Sequence, residues 1–132
     1  MASLARFPAL AAFLAGGSAT WRDLNIAPGE LLSLCEREEL SSLVYQRLTE
    51  SGSTDGWPLD VREALVERAR GRAGEELLRA GETRAVLDAL GRAGVWPMLI
   101  KGTPLAYGWY GTPASRPRDD TDVLIPAAQV ET

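Results

Sequence analysis

Apolar residues recur at helical spacing up to about residue 94, and then the rhythm changes. Leu4 to Leu14 reads as a first amphipathic helix, with Pro8 inside it. Pro28 and Gly29 punctuate before "ELLSLCEREELSSLVYQRLTE". There Leu31, Leu34 and Cys35 share one face, and Leu40, Leu43, Val44 and Leu48 continue at i, i+3, i+4, i+8 spacing. That pattern fits one bent helix or two short ones meeting near Glu39, with Ser41 and Ser42 as an N-cap at a restart. "SGSTDGWP" is a loop by composition. From about Val61 to Arg92, after a candidate cap at Asp60, Val61, Leu65, Leu77, Leu87 and Leu90 fall near one stripe. The Arg and Glu between them read as a solvated face. Gly71, Gly74 and Gly81 each weaken a helix by roughly 1 kcal/mol relative to Ala, which a segment of this length tolerates.

Gly94 then offers a helix stop, and Pro97 confirms the break. "PMLI" is a short, wholly apolar run of the kind found in a buried strand. "TPLAYGWY" reads as a short helix with Thr103 as N-cap and Pro104 at its first position. "GTPASRPR" is a loop, and "DTDVLI" is a second strand that opens polar and ends apolar. The expected fold class is α+β: a helical region over residues 1–94, then a β-α-β unit over 95–132 whose sheet is incomplete in this chain.

Composition narrows the chemistry. The chain has 132 residues and 45% hydrophobic content, enough for a core. A net charge of −4 argues against binding DNA through the overall field. With no His, triads built on imidazole and His-rich zinc sites are excluded. The single Cys, Cys35, rules out an internal disulfide and fits a reducing, cytoplasmic setting; on an apolar helical face it reads as inert. The N-terminus loosely imitates a signal peptide, but its apolar run is short and broken by Pro8. No run approaches the ~20 apolar residues of a membrane span.

Two features carry chemistry. Residues i and i+2 of a strand share a face, so Asp120 and Asp122 would set two carboxylates side by side. Such a pair calls for a cation between them, and Mg²⁺ commonly takes one or two carboxylates plus phosphate oxygens. Alone the signal is weak, because Asp-x-Asp is common in loops. The second feature is Lys101-Gly102-Thr103, between the apolar run and the short helix. It offers a tight turn, a hydroxyl, a cation and the first N–H groups of a helix, which together suit an anion. A phosphate cradle at one strand end and a metal platform on the next are what nucleotidyl transfer needs.

At this point the residues resemble a known family. "LIKGTPLAYGWYGTPASRPRDDTDVLI" is similar to the uncharacterised bacterial nucleotidyltransferases of the DNA polymerase beta superfamily. The match runs through Lys101, Gly102, Leu105, Ala106, Tyr110, Pro113, Arg116, Pro117, Asp120 and Asp122. The resemblance implies that Asp120 and Asp122 are catalytic and ligate Mg²⁺ or Mn²⁺. It implies that Gly102 and Thr103 contact the terminal phosphates of an NTP, with Lys101 in support. Arg116 is favoured as a structural or phosphate-side cation. Asp119 is out of phase with the other acids and has Arg118 as a neighbouring partner. The acceptor is left open among a protein side chain, a small molecule and RNA. Trp109, Tyr110 and Tyr107 lie near the motif, for packing or for stacking on a base.

The superfamily's third carboxylate sits on a later strand, and only Glu131 follows Asp122, too soon for that position. The chain therefore reads as the N-terminal half of a longer protein. A non-catalytic nucleotide- or protein-binding module on the same fold is the alternative to an enzyme.

Overall fold

The computed structural model describes residues 3–130 and divides into two compact units, Met1–Gly71 and Arg72–Thr132. In the first, helices α1 (Pro8–Leu14), α2 (Trp21–Leu24), α3 (Pro28–Arg37), α4 (Ser41–Ser51) and the first part of α5 (Leu59–Arg92) enclose one core. Leu10, Leu24, Leu31, Leu34, Cys35, Val44, Val61 and Leu65 are among its fully buried side chains. Trp57 closes it, with its ring 5.7 Å from Phe13 and 5.2 Å from Trp21. Arg47 Nε donates to the Leu14 carbonyl at the end of α1, and Arg68 Nη1 to the Leu32 carbonyl inside α3, each at 2.9 Å, so two long side chains bridge helices of this unit through backbone oxygens. Cys35 lies in this core, and burial pushes its thiol up to about 11.

The segment with two possible readings resolves into two helices. Glu39 turns left-handed at φ 54°, the Leu40 N–H reaches the Cys35 carbonyl at 2.8 Å, and the Glu39 N–H reaches the Glu36 carbonyl. This is a Schellman stop made with Glu in place of the usual Gly. Those backbone bonds deliver Leu40 already near helical geometry, so α4 starts without a side-chain cap. Ser41 and Ser42 are consequently buried helical positions, not the cap that the sequence suggested.

Helix α5 runs unbroken for 34 residues. Its end is a second Schellman stop, with Gly94 at φ 77° and the Val95 N–H bonded to the Leu90 carbonyl at 2.9 Å. Strand β1 (Met98–Ile100), helix α6 (Gly102–Gly108) and strand β2 (Asp122–Leu124) follow. The strands pair antiparallel, Met98 with Leu124, Leu99 with Val123 and Ile100 with Asp122. A two-stranded sheet is marginal by itself, and here Met98 and Leu124, directly opposite one another, are both exposed. The fold is thus α+β with an incomplete sheet. No helix among the described residues is long and apolar enough to cross a membrane. Glu131 lies outside the described residues.

Candidate functional site

The register of the hairpin decides what meets what. β1 ends at Ile100, whose partner is Asp122, the first residue of β2. The Lys101-Gly102-Thr103 turn leaves β1 at the same end at which Asp122 enters β2. Two motifs well apart in sequence are therefore neighbours, and Lys101 Nζ lies 3.2 Å from Asp122 Oδ1.

The turn is tighter at Lys101 than at Gly102. Lys101 sits at φ 60°, ψ −124°, a conformation natural to Gly and costly for a residue with a Cβ. A Cβ on Gly102 would meet Arg118 Cδ at 3.8 Å and Arg116 Nε at 4.0 Å, ordinary contacts. The strained residue thus precedes the glycine on which the sequence reading placed the turn. Helix α6 begins at Gly102, two residues earlier than expected, so Thr103 is inside the first turn and caps nothing. Its side chain is only 2% exposed and its hydroxyl has no hydrogen-bond partner.

Arg116 and Arg118 flank this turn. The Arg116 guanidinium stacks over Tyr110 at 5.8 Å, and its Nε is buried without a partner. Arg118 does not pair with Asp119. Its Nη1 and Nη2 donate to Glu76 Oε2 and Oε1 at 2.9 and 2.7 Å. The Tyr107 hydroxyl donates to the same Glu76 Oε1 at 2.8 Å, and the Arg118 guanidinium lies over the Tyr107 ring at 5.5 Å. Burial of its hydroxyl end, followed by the Glu76 carboxylate, raises the Tyr107 pKa. Sequence reasoning missed Glu76. It stands among the alternating Arg and Glu of α5 that read as solvated, and no local signal distinguishes it.

The acids are placed differently from one another. Strand pairing starts at Asp122, so Asp120 lies outside β2, in the loop just before it, and strand alternation does not set the two on one face as the sequence suggested. Asp120 and Asp119 line an open cavity of about 300 Å³ with Arg79, Glu82, Thr83 and Val123. Among the described residues no group of three or more acids, Cys or His is gathered for a metal. Magnesium asks for less: one or two carboxylates, with waters and phosphate oxygens completing the octahedron. Asp122, half-buried and already facing an ammonium, has the donor chemistry such an ion takes.

Comparison with known proteins adds one finding. The family model described as uncharacterised nucleotidyltransferase matches residues 25–132, well over half the chain and inclusive of every residue of this site. No curated protein and no solved structure matches.

Proposed function

The chain belongs to the uncharacterised nucleotidyltransferase family, and from that premise we propose that it binds an NTP with a divalent cation, Mg²⁺ or Mn²⁺, for transfer of NMP to an acceptor hydroxyl with release of pyrophosphate. The observation that carries the reading is the Ile100–Asp122 register, which sets the Lys101-Gly102-Thr103 turn beside the Asp-x-Asp segment. Asp122 and Asp120 would hold the cation, which would supply charge neutralisation for the triphosphate. Thr103 would give its hydroxyl, unpartnered and buried in the absence of nucleotide, to a phosphate oxygen once a small shift of the turn uncovers it, and Gly102 would add a backbone N–H to the same phosphates. Arg116, with Nε unpaired, would supply a fixed positive charge on the phosphate side. The cavity beside Asp120 has room for part of an acceptor, which we leave open among a small molecule, a protein side chain and RNA.

Calorimetry with ATP in the presence and absence of Mg²⁺ or Mn²⁺ tests this directly. Metal-dependent binding is expected, and it should disappear in the double variant Asp120→Ala, Asp122→Ala. ATP binding that ignores both the metal and the double substitution would overturn the reading. Metal-dependent binding with no pyrophosphate released from any acceptor class would assign the chain to a non-catalytic nucleotide-binding module on this fold.

A further inference from the structure

We propose that the Lys101 ammonium is a placeholder cation: it neutralises Asp122 while the metal position is empty, and it transfers to the nucleotide's phosphates when a divalent cation arrives. The inference rests on the nucleotidyltransferase reading and adds to it a defined exchange of partners by one side chain.

Three observations carry it. First, Lys101 Nζ is 3.2 Å from Asp122 Oδ1, so an ammonium faces the oxygen that the metal would take. Two cations cannot share that face of one carboxylate without repulsion, so metal entry and this ion pair compete. Second, the pair is built to break. The Lys101 side chain is 68% exposed and that of Asp122 32%, and ion pairs so open to water hold weakly. The partner is Lys, a compact point charge on a flexible stem that can swing between oxygens without the directional fork of Arg. Third, the residue carrying the ammonium occupies a backbone conformation, φ 60°, ψ −124°, that favours Gly. A position where the backbone would be relaxed with Gly instead keeps a long cation beside the site, and strain of this kind gathers where a side chain is held for function. Because Lys101 directly precedes Gly102 and Thr103, release from Asp122 leaves the ammonium next to the expected phosphate position.

The exchange predicts effects of opposite sign from one substitution. Lys101→Met removes the competitor, so Mn²⁺ alone should bind about two- to fivefold more tightly than to the unaltered chain. The same variant lacks the phosphate cation, so Mn²⁺–ATP should bind about tenfold more weakly. The measurement is free Mn²⁺ by electron paramagnetic resonance without nucleotide, then calorimetry with ATP at saturating Mn²⁺, on the full chain. Asp122→Asn should lose most Mn²⁺ binding in both. Lys101→Gly, which removes the ammonium and relaxes the backbone, should repeat both signs and serves if Lys101→Met does not fold. Equal or weaker Mn²⁺ binding by the Lys101 variants, with Mn²⁺–ATP binding intact in the unaltered chain, overturns the placeholder and leaves Lys101 a staple of the hairpin. Absence of Mn²⁺–ATP binding from the unaltered chain and its variants alike overturns the proposed metal-dependent nucleotide binding with it.

Discussion

Arg118 holds Glu76 in a two-bond fork, with Nη1–Oε2 at 2.9 Å and Nη2–Oε1 at 2.7 Å, and both side chains are nearly withdrawn from water. One partner stands on α5 and the other just ahead of β2. Tyr107 of α6 adds its hydroxyl to the same carboxylate. A single glutamate therefore fixes the helix that follows the Gly turn and the segment that delivers Asp120 and Asp122. This unit has little else to hold it, since among its other described residues only Val95, Thr103, Ala106 and Ser115 are buried.

Glu76→Ala should accordingly loosen the site by unfolding it locally. Removing one partner strands a buried guanidinium, which costs about 3–5 kcal/mol in comparable pairs. Replacing both partners with Met should recover much of that, because the apolar pair has no charge to desolvate. Hydrogen exchange read on peptides covering β1, α6 and β2 measures it. Protection should fall sharply in Glu76→Ala and return in large part in the Glu76→Met, Arg118→Met double variant. Unchanged protection in Glu76→Ala would show that the fork is incidental to the fold.

The same network should delay the ionisation of Tyr107. Burial of its hydroxyl end and the Glu76 carboxylate raise its pKa above the ordinary value of 10.0, with Arg118 opposing. The raised value means that the folded state holds this proton more tightly than the unfolded chain does. Its contribution to stability is thus complete below about pH 10 and disappears as the pH rises through the folded pKa. Ultraviolet difference titration of the unaltered chain against Tyr107→Phe isolates the group. Glu76→Gln should lower its midpoint only in part, since burial is the larger cause. A midpoint at or below that of a free tyrosine would contradict the geometry.

How much of this was readable beforehand follows from the range of each interaction. The long helix was legible because helix-forming residues recur locally along it, although the expected apolar stripe is buried only at its start, at Val61 and Leu65, and Leu77 is exposed. Gly71, Gly74 and Gly81 were outweighed, and the observed Leu59–Arg92 helix begins only slightly before the expected Val61. β2 was legible from Val123 and Leu124, and its meeting with the Lys-Gly turn came through a family pattern that spans both. The Glu76–Arg118 fork was not, because its partners are 42 residues apart and nothing in the helical pattern marks one Glu among many. The strain at Lys101 was hidden for a different reason. A positive φ is inferred from Gly or Asn, and here the residue that adopts it carries a long side chain. Thr103 as a cap failed by two residues, within the ordinary uncertainty of a helix boundary, yet that shift converts a satisfied hydroxyl into a buried orphan.

That orphan gives the sharpest test of the phosphate cradle. A buried hydroxyl without a partner costs about 1–3 kcal/mol relative to an apolar group of the same shape. Thr103→Val keeps the β-branched outline and removes the oxygen. In the absence of nucleotide the variant should be more stable by about 1 kcal/mol, visible as a higher melting temperature. Nucleotide should reverse the ranking. A ligand stabilises the folded state in proportion to RT ln(1 + [L]/Kd), so a lost phosphate contact must show as a smaller shift on adding Mg²⁺–ATP. Thr103→Ser, which restores the hydroxyl without the methyl, should regain the larger shift while losing some packing. A gain in stability without nucleotide, combined with an undiminished shift with it, would mean that the hydroxyl is a flaw in the packing, and Thr103 would leave the site.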